Sequence, residues 1–259
     1  MRKRLNQSSF RTISAMGGDI IPAKAFSRNQ AVFNEKAAQY AKSGVITTPG
    51  YLRLESLAPN AATSVFNFNT LDTSGTKTAT ERRLKLSDTF TITDIAFYLG
   101  AGAATGNAPT AAEYASQTLH TFPNPNVTSF SAVGKAALLE AIYNGFLQLR
   151  IDTTTFLDSI PMRQFYRVGT SQQGVGSSAV SNVAVARDEW NMSMYGKNQL
   201  LPTIELNGQS NIEFSVNLPN ATNCSATAAT FTNCVLILQG FLNQGAAQTQ
   251  RNVQRKLRS

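Results

Sequence analysis

Side chains able to carry chemistry are sparse in this sequence. His120 is its single histidine, and Cys224 and Cys234 are its two cysteines. That is too few for a zinc-binding set or for the histidine cluster of a cupin-type metal site. Spacing leaves a Ser-His-Asp set open, because triads assemble from distant positions. No Gly-x-Ser-x-Gly elbow occurs, however, and a lone histidine in the extended segment "TLHTFPNP" reads first as structural. The Gly-rich run "GAGAATGNAPTAAEYASQ", Gly100 to Gln117, lacks the Gly-Lys-Ser/Thr ending of a phosphate loop and reads as an exposed loop. The two cysteines either close one loop as a disulfide or stay as free thiols, the second fitting a reducing compartment.

Paired carboxylates are the remaining route to catalysis, since glycoside hydrolysis needs only two. Asp152 and Asp158 flank one predicted turn, Glu205 and Glu213 flank another, and Asp188-Glu189 precede Trp190. A sugar cleft would add several aromatic platforms. Here Phe supplies 15 aromatic residues against 7 Tyr and 1 Trp, mostly at alternating strand positions, which points to a core. The expectation is a protein that is not an enzyme and has no catalytic residues, metal, cofactor or small-molecule substrate.

Charge is concentrated at the two ends. Residues 1–42 hold Arg2, Lys3, Arg4, Arg11, Lys24, Arg28, Lys36 and Lys42 against Asp19 and Glu35, a net of +6, and "RNVQRKLRS" adds Arg251, Arg255, Lys256 and Arg258 for +4. The total is +8, so the body between them carries −2. Two basic tails on a near-neutral body read as contacts to nucleic-acid phosphates or anionic lipid headgroups, or as plain solubility. No run of about 18 apolar residues exists to span a membrane. The start has no continuous apolar core of a secretory signal, so the chain is expected to stay in a cytosol until it assembles.

The elements that must position these residues follow from periodicity. Between Pro22 and Gly44, Phe26, Phe33, Ala37 and Tyr40 fall on one helical stripe, which predicts a helix packed on its own domain or a neighbouring copy, with a basic outer face. Beyond Gly44 the period becomes two. Strands are predicted at 50–57, 64–70, 84–99, 146–151, 156–168, 200–206, 211–218 and 234–242. The third is one long strand whose phase changes near Thr93-Asp94, the mark of a bulge or a bend between sheets. "SAVGKAALLEAIY" predicts a short helix capped by Ser131. Gly169 to Asn182 and the run 220–233 read as loops.

"LPTIELNGQSNIEFSVNLP", Leu201 to Pro219, reads as a hairpin with Ile204, Leu206, Ile212, Phe214, Val216 and Leu218 packing in the sheet. A loop centred on Gln209 keeps Leu206 and Ile212 on one face. It then makes Glu205 and Glu213 neighbours on the other face, where like charges need a cation from the body or from another subunit. Solvated surface acids are the other reading of that pair.

Eight antiparallel strands with long connections predict an all-β fold: a jelly-roll sandwich of two four-stranded sheets with an N-terminal helix, a double jelly roll being the alternative. The predicted organisation is a basic arm and helix at 1–44, a jelly-roll domain at 45–243 and a basic tail at 244–259.

Several phrases carry a resemblance: "TTPGYLRLESL", "TERRLKLSDTFTITDIAFYLG" at Thr80 to Gly100, "HTFPNP" at 120–125, "YNGFLQLRID" with "IPMRQFYRV", and "LPTIELNGQSNIEFSV". Over roughly residues 45 to 243 the chain resembles the jelly-roll major capsid proteins of tailless icosahedral bacteriophages. The resemblance implies a homo-oligomeric virion shell, with trimeric capsomers as one arrangement, assembled in the host cytoplasm. It also implies other virion proteins as partners and a genome or internal membrane beneath the shell. It transfers no catalytic residue. Arg2, Lys3, Arg4, Arg11, Arg251, Arg255, Lys256 and Arg258 are the candidate contacts to genome or lipid, and Glu205 and Glu213 a candidate subunit contact. A receptor- or glycan-binding jelly-roll module is the competing expectation.

Overall fold

The computed structural model describes residues 23–59, 61–73, 75–105, 109–124, 130, 135–167, 197–224 and 230–248. The eight candidate basic contacts at the chain ends, Ser131, the loop 169–182 and the Asp188-Glu189-Trp190 stretch lie outside the described residues.

Among the described residues, nine strands build a sandwich of two antiparallel sheets: β1 Ile46–Leu57, β2 Thr63–Asn69, β3 Thr89–Ala103, β4 Thr118–His120, β5 Phe146–Ile151, β6 Thr154–Pro161, β7 Lys197–Asn207, β8 Ile212–Thr222 and β9 Thr230–Gln244. One sheet runs β1-β9-β3, with β7 and β4 sharing the far edge of β3; the other runs β2-β8-β5-β6. Leaving β4 aside, partners nest as first with last (β1, β9), then β2 with β8, β3 with β7 and β5 with β6. That nested order is a jelly roll. The described strands make one roll, with no second set for the double-roll alternative. The five-stranded sheet departs from the expected four because β4 adds a short edge beside Leu99–Ala101.

Alternation decides which face each strand buries. Leu52 and Leu54 of β1, Phe66 and Phe68 of β2, Leu147 and Leu149 of β5, and Cys234, Leu236 and Leu238 of β9 all enter one core. Each such side chain contributes about 1.5–3 kcal/mol by leaving water. Helix α3, Lys135–Tyr143, closes one end with Leu139, Ile142 and Tyr143, and Phe97 meets the Tyr143 ring edge-on at 5.7 Å.

The phase change in β3 is a bulge. Ile92 pairs with Gly240 and Asp94 with Gln239, so Thr93 is the extra residue and its Oγ1 donates to the Gln239 carbonyl at 3.2 Å. Phe90 and Ile92 before it and Ile95, Phe97 and Leu99 after it face the same core. The strand stays in one sheet, and it begins at Thr89 rather than 84. Residues 81–84 instead form isolated bridges, Arg82 with Arg53 and Leu84 with Leu71.

Two further expectations are corrected. Leu201 to Pro219 is not a hairpin: β7 pairs with β3 and β8 with β2 and β5, so Gly208 to Asn211 carry the chain from one sheet to the other. The six residues assigned to packing are all buried, yet they reach the core from opposite sides. Gly100 to Gln117 is not simply an exposed loop, because β3 runs through Gly100 and Gly102. A Cβ on those residues would stand 2.2 Å from the Gln117 side chain and 2.5 Å from the Phe231 ring, so glycine permits that packing. Thr110 and Glu113 then form a capping box for α2, Ala111–Ser116.

Candidate functional site

Helix α1, Ala23–Tyr40, lies on the outer face of the five-stranded sheet and is closed by Gly44 at φ 70°. Phe33 packs against Phe241 with ring centroids 5.4 Å apart. Lys36 forms an ion pair with Glu205, whose other oxygen accepts from the Tyr40 hydroxyl at 2.7 Å. Arg28 donates to the Leu200 carbonyl. The basic outer face expected of this helix is therefore not found among its described side chains, because Arg28 and Lys36 turn inward. Ala31, Asn34, Glu35, Ala38 and Gln39 are the exposed ones.

Glu205 and Glu213 are not neighbours. They sit on different sheets: Glu205 pairs with Lys36, while Glu213 stands across from Arg150 in the β5–β8 register without forming an ion pair with it among the described residues. A pair of carboxylates poised over one substrate is not available there. Asp152 holds the β5–β6 turn at φ 52° and accepts from Asn211 N at 2.8 Å, whereas Asp158 accepts from Gln148 at 3.3 Å. Both acids serve strand geometry.

The two carboxylates that the fold does bring together are Glu55 and Glu81. Glu55 accepts from Arg53 Nε at 2.7 Å, Thr78 Oγ1 at 3.0 Å, Thr80 Oγ1 at 2.7 Å, Gln117 Nε2 at 3.2 Å and Asn233 Nδ2 at 2.9 Å. Glu81 accepts from the Glu55 and Thr78 backbone N–H groups and from Arg83 Nη2 at 2.7 Å. Both acids are buried, and two arginines balance them. Their oxygens are occupied by internal donors, so the cluster fastens the 76–83 segment over β1 rather than offering an acid or base to a substrate. The sequence signal was the polar row Arg53, Glu55 between core residues Leu52 and Leu54. It marks an outer strand face that something must cover.

Between α1 and the β3 bulge lies a groove of about 630 Å³. Phe33, Tyr51 and Phe241 supply aromatic walls, and Thr93, Asp94 and Gln239 supply polar groups. Arg82 stacks over the Tyr51 ring at 5.3 Å. Sequence reasoning missed this groove because its walls come from four separated segments.

His120 sits in β4 with Nε2 2.9 Å from Thr118 Oγ1 and its ring edge-on to Phe130. The cysteines are free thiols in the core, and burial pushes Cys224 up to about 11 and Cys234 well above its ordinary range. Among the described residues no three His, Cys, Asp or Glu side chains gather as a metal site, and no helix is long and apolar enough to cross a membrane.

The chain ends leave the described fold from one sheet. Helix α1 leads into β1 across the outside of the five-stranded sheet. The C-terminal segment leaves β9 of that sheet, where Gly245 N donates to Asp88 Oδ1 at 2.9 Å and Ala247 N to the Ser87 carbonyl at 3.0 Å. On the outer face of the four-stranded sheet Val65, Phe146, Arg150 and Glu213 are exposed and Gln148 and Asn217 half-buried. No protein-family model matches the chain, and no curated protein matches it in sequence.

Proposed function

We propose that this chain is a structural subunit, a major capsid protein that self-assembles into an icosahedral virion shell with its basic termini facing a genome or an internal membrane. The observation that carries this reading is the combination of jelly-roll strand order with departure of both chain ends from the same sheet. Were both tails to continue from that sheet toward the same side, Arg2, Lys3, Arg4, Arg11, Arg251, Arg255, Lys256 and Arg258 would bring their charge to one surface of a shell, where polyphosphate or anionic lipid supplies the counter-charge. Glu55, Glu81 and Glu205 are engaged in ion pairs within the subunit, which suits a rigid building block. A shell uses many modest contacts rather than one deep site.

The aromatic groove beside Asp94 favours a second reading, a receptor- or glycan-binding module. Sedimentation of the purified chain separates the two. The capsid reading expects particles of many copies. A discrete trimer that binds a glycan, and loses it on Tyr51→Ala, would favour the module instead.

A further inference from the structure

The two outer faces of the sandwich are treated differently by the fold. Helix α1, the 76–83 segment and α2 lie on the five-stranded sheet, where Phe241, Glu55 and Phe231 respectively are buried beneath them. Among the described residues no helix is seen to cover the four-stranded sheet in this way, and Val65 at 37%, Phe146 at 37% and Phe156 at 52% stay exposed.

The strand register sets these side chains in rows. One row across β2, β8, β5 and β6 reads Val65, Asn217, Phe146, Pro161; another reads Asn69, Glu213, Arg150, Thr155. Between them Asn67, Ser215 and Gln148 align. In the second row Arg150 Nε is turned to the Asp152 carbonyl at 3.2 Å, and no ion pair joins Arg150 to Glu213 among the described residues.

We propose that this face is an isologous contact between two copies of the chain, related by a two-fold axis parallel to the strands and passing between β8 and β5. It rests on the reading that the chain assembles with itself. Such an axis lays each row on its own reverse. Glu213 then faces Arg150 of the second copy and Arg150 faces its Glu213, while Phe146 packs beside the second copy's Asn217 and Val65 beside its Pro161. The face is thus self-complementary in charge, which an isologous interface requires. Sheets packing face to face stand about 10 Å apart, a gap that Arg and Glu side chains from opposite sides can close. Four strands by about seven residues give a footprint on the order of 450 Å² per copy. A standard interface buries about 800 Å² per partner, so the contact is weak alone and persists when repeated in an assembly.

Charge exchange tests it. Arg150→Glu and Glu213→Arg should each weaken self-association at least tenfold in sedimentation equilibrium. The double variant R150E/E213R, which restores opposite charges across the axis, should recover it. Melting curves establish that each variant is folded. As a second measurement on the otherwise native chain, Gln148→Cys should give dimers with a short bis-maleimide, while Ala38→Cys on the outside of α1 should not. The proposal is overturned if the single variants associate like the native chain, if the double variant stays as weak as the singles, or if Gln148→Cys gives no more dimer than Ala38→Cys. Shells that still form under those results would leave the capsid reading standing. A native chain that neither dimerises at high concentration nor forms shells would overturn both.

Discussion

The Tyr40 hydroxyl donates to the Glu205 carboxylate at 2.7 Å, joining the end of α1 to β7 across the outside of the five-stranded sheet. With Lys36 on the other carboxylate oxygen, this contact fixes where the N-terminal arm enters the fold. Glu205→Ala should therefore release α1 more than it weakens the sandwich. Hydrogen exchange in residues 28–40 should quicken at least tenfold while β5 and β8 keep their protection. Uniform protection throughout would mean that Phe33 on Phe241 holds the helix unaided.

Gly240 lies opposite the bulge, where a Cβ would stand 1.8 Å from the Thr91 carbonyl oxygen. Backbone cannot yield as a flexible side chain can, so Gly240→Ala should cost about 2 kcal/mol or more. Gly50 is the control in the neighbouring strand, since a Cβ there meets nothing nearer than 3.6 Å. Urea unfolding should separate the two variants clearly, and equal midpoints would contradict the bulge geometry.

Removing the Glu55 charge leaves the half-buried Arg53 without its carboxylate partner. Glu55→Gln should cost about 2–3 kcal/mol, less than the roughly 3–5 kcal/mol of breaking a fully buried pair because Arg53 keeps part of its water, and should expose the 76–83 segment to proteolysis before the rest. A melting temperature unchanged from the native chain would show that the segment is held by its backbone bridges alone.

Burial holds the Cys224 thiol at about 11 and Cys234 well above its ordinary range. An unfolded chain ionises both near 8.5. Below that value both states keep their protons and the thiols add no pH dependence. Between about 8.5 and 11 the unfolded chain has lost protons that the folded chain retains, so stability falls as pH rises, by on the order of 3 kcal/mol from Cys224. Cys224→Val should flatten that decline, and native thiols should react slowly with a thiol reagent at pH 8. Rapid reaction without unfolding would contradict the burial.

How far this was legible follows from what a period of two encodes. Alternation names the face a residue occupies, so Ile204, Leu206, Ile212 and Phe214 could be placed in the core and the break at Thr93-Asp94 identified. It does not name a strand's partner. Two apolar rows separated by "NGQSN" pack equally well as a hairpin or from facing sheets, and only long-range pairing with β3 decides. The Glu55 cluster was hidden for the same reason, because its donors arrive from β1, β9, the 78–80 segment and Gln117. Charge counting showed the basic ends but not that Arg28 and Lys36 are consumed in docking α1.

Electron microscopy of the purified chain, with nucleic acid and anionic vesicles supplied, shows directly whether it builds shells. Closed, regular shells are the expected result. Deleting residues 1–11 and 251–259 should leave the fold intact while weakening retention of nucleic acid or lipid and lowering its salt dependence. Monomers or trimers alone, under every condition, would contradict the account.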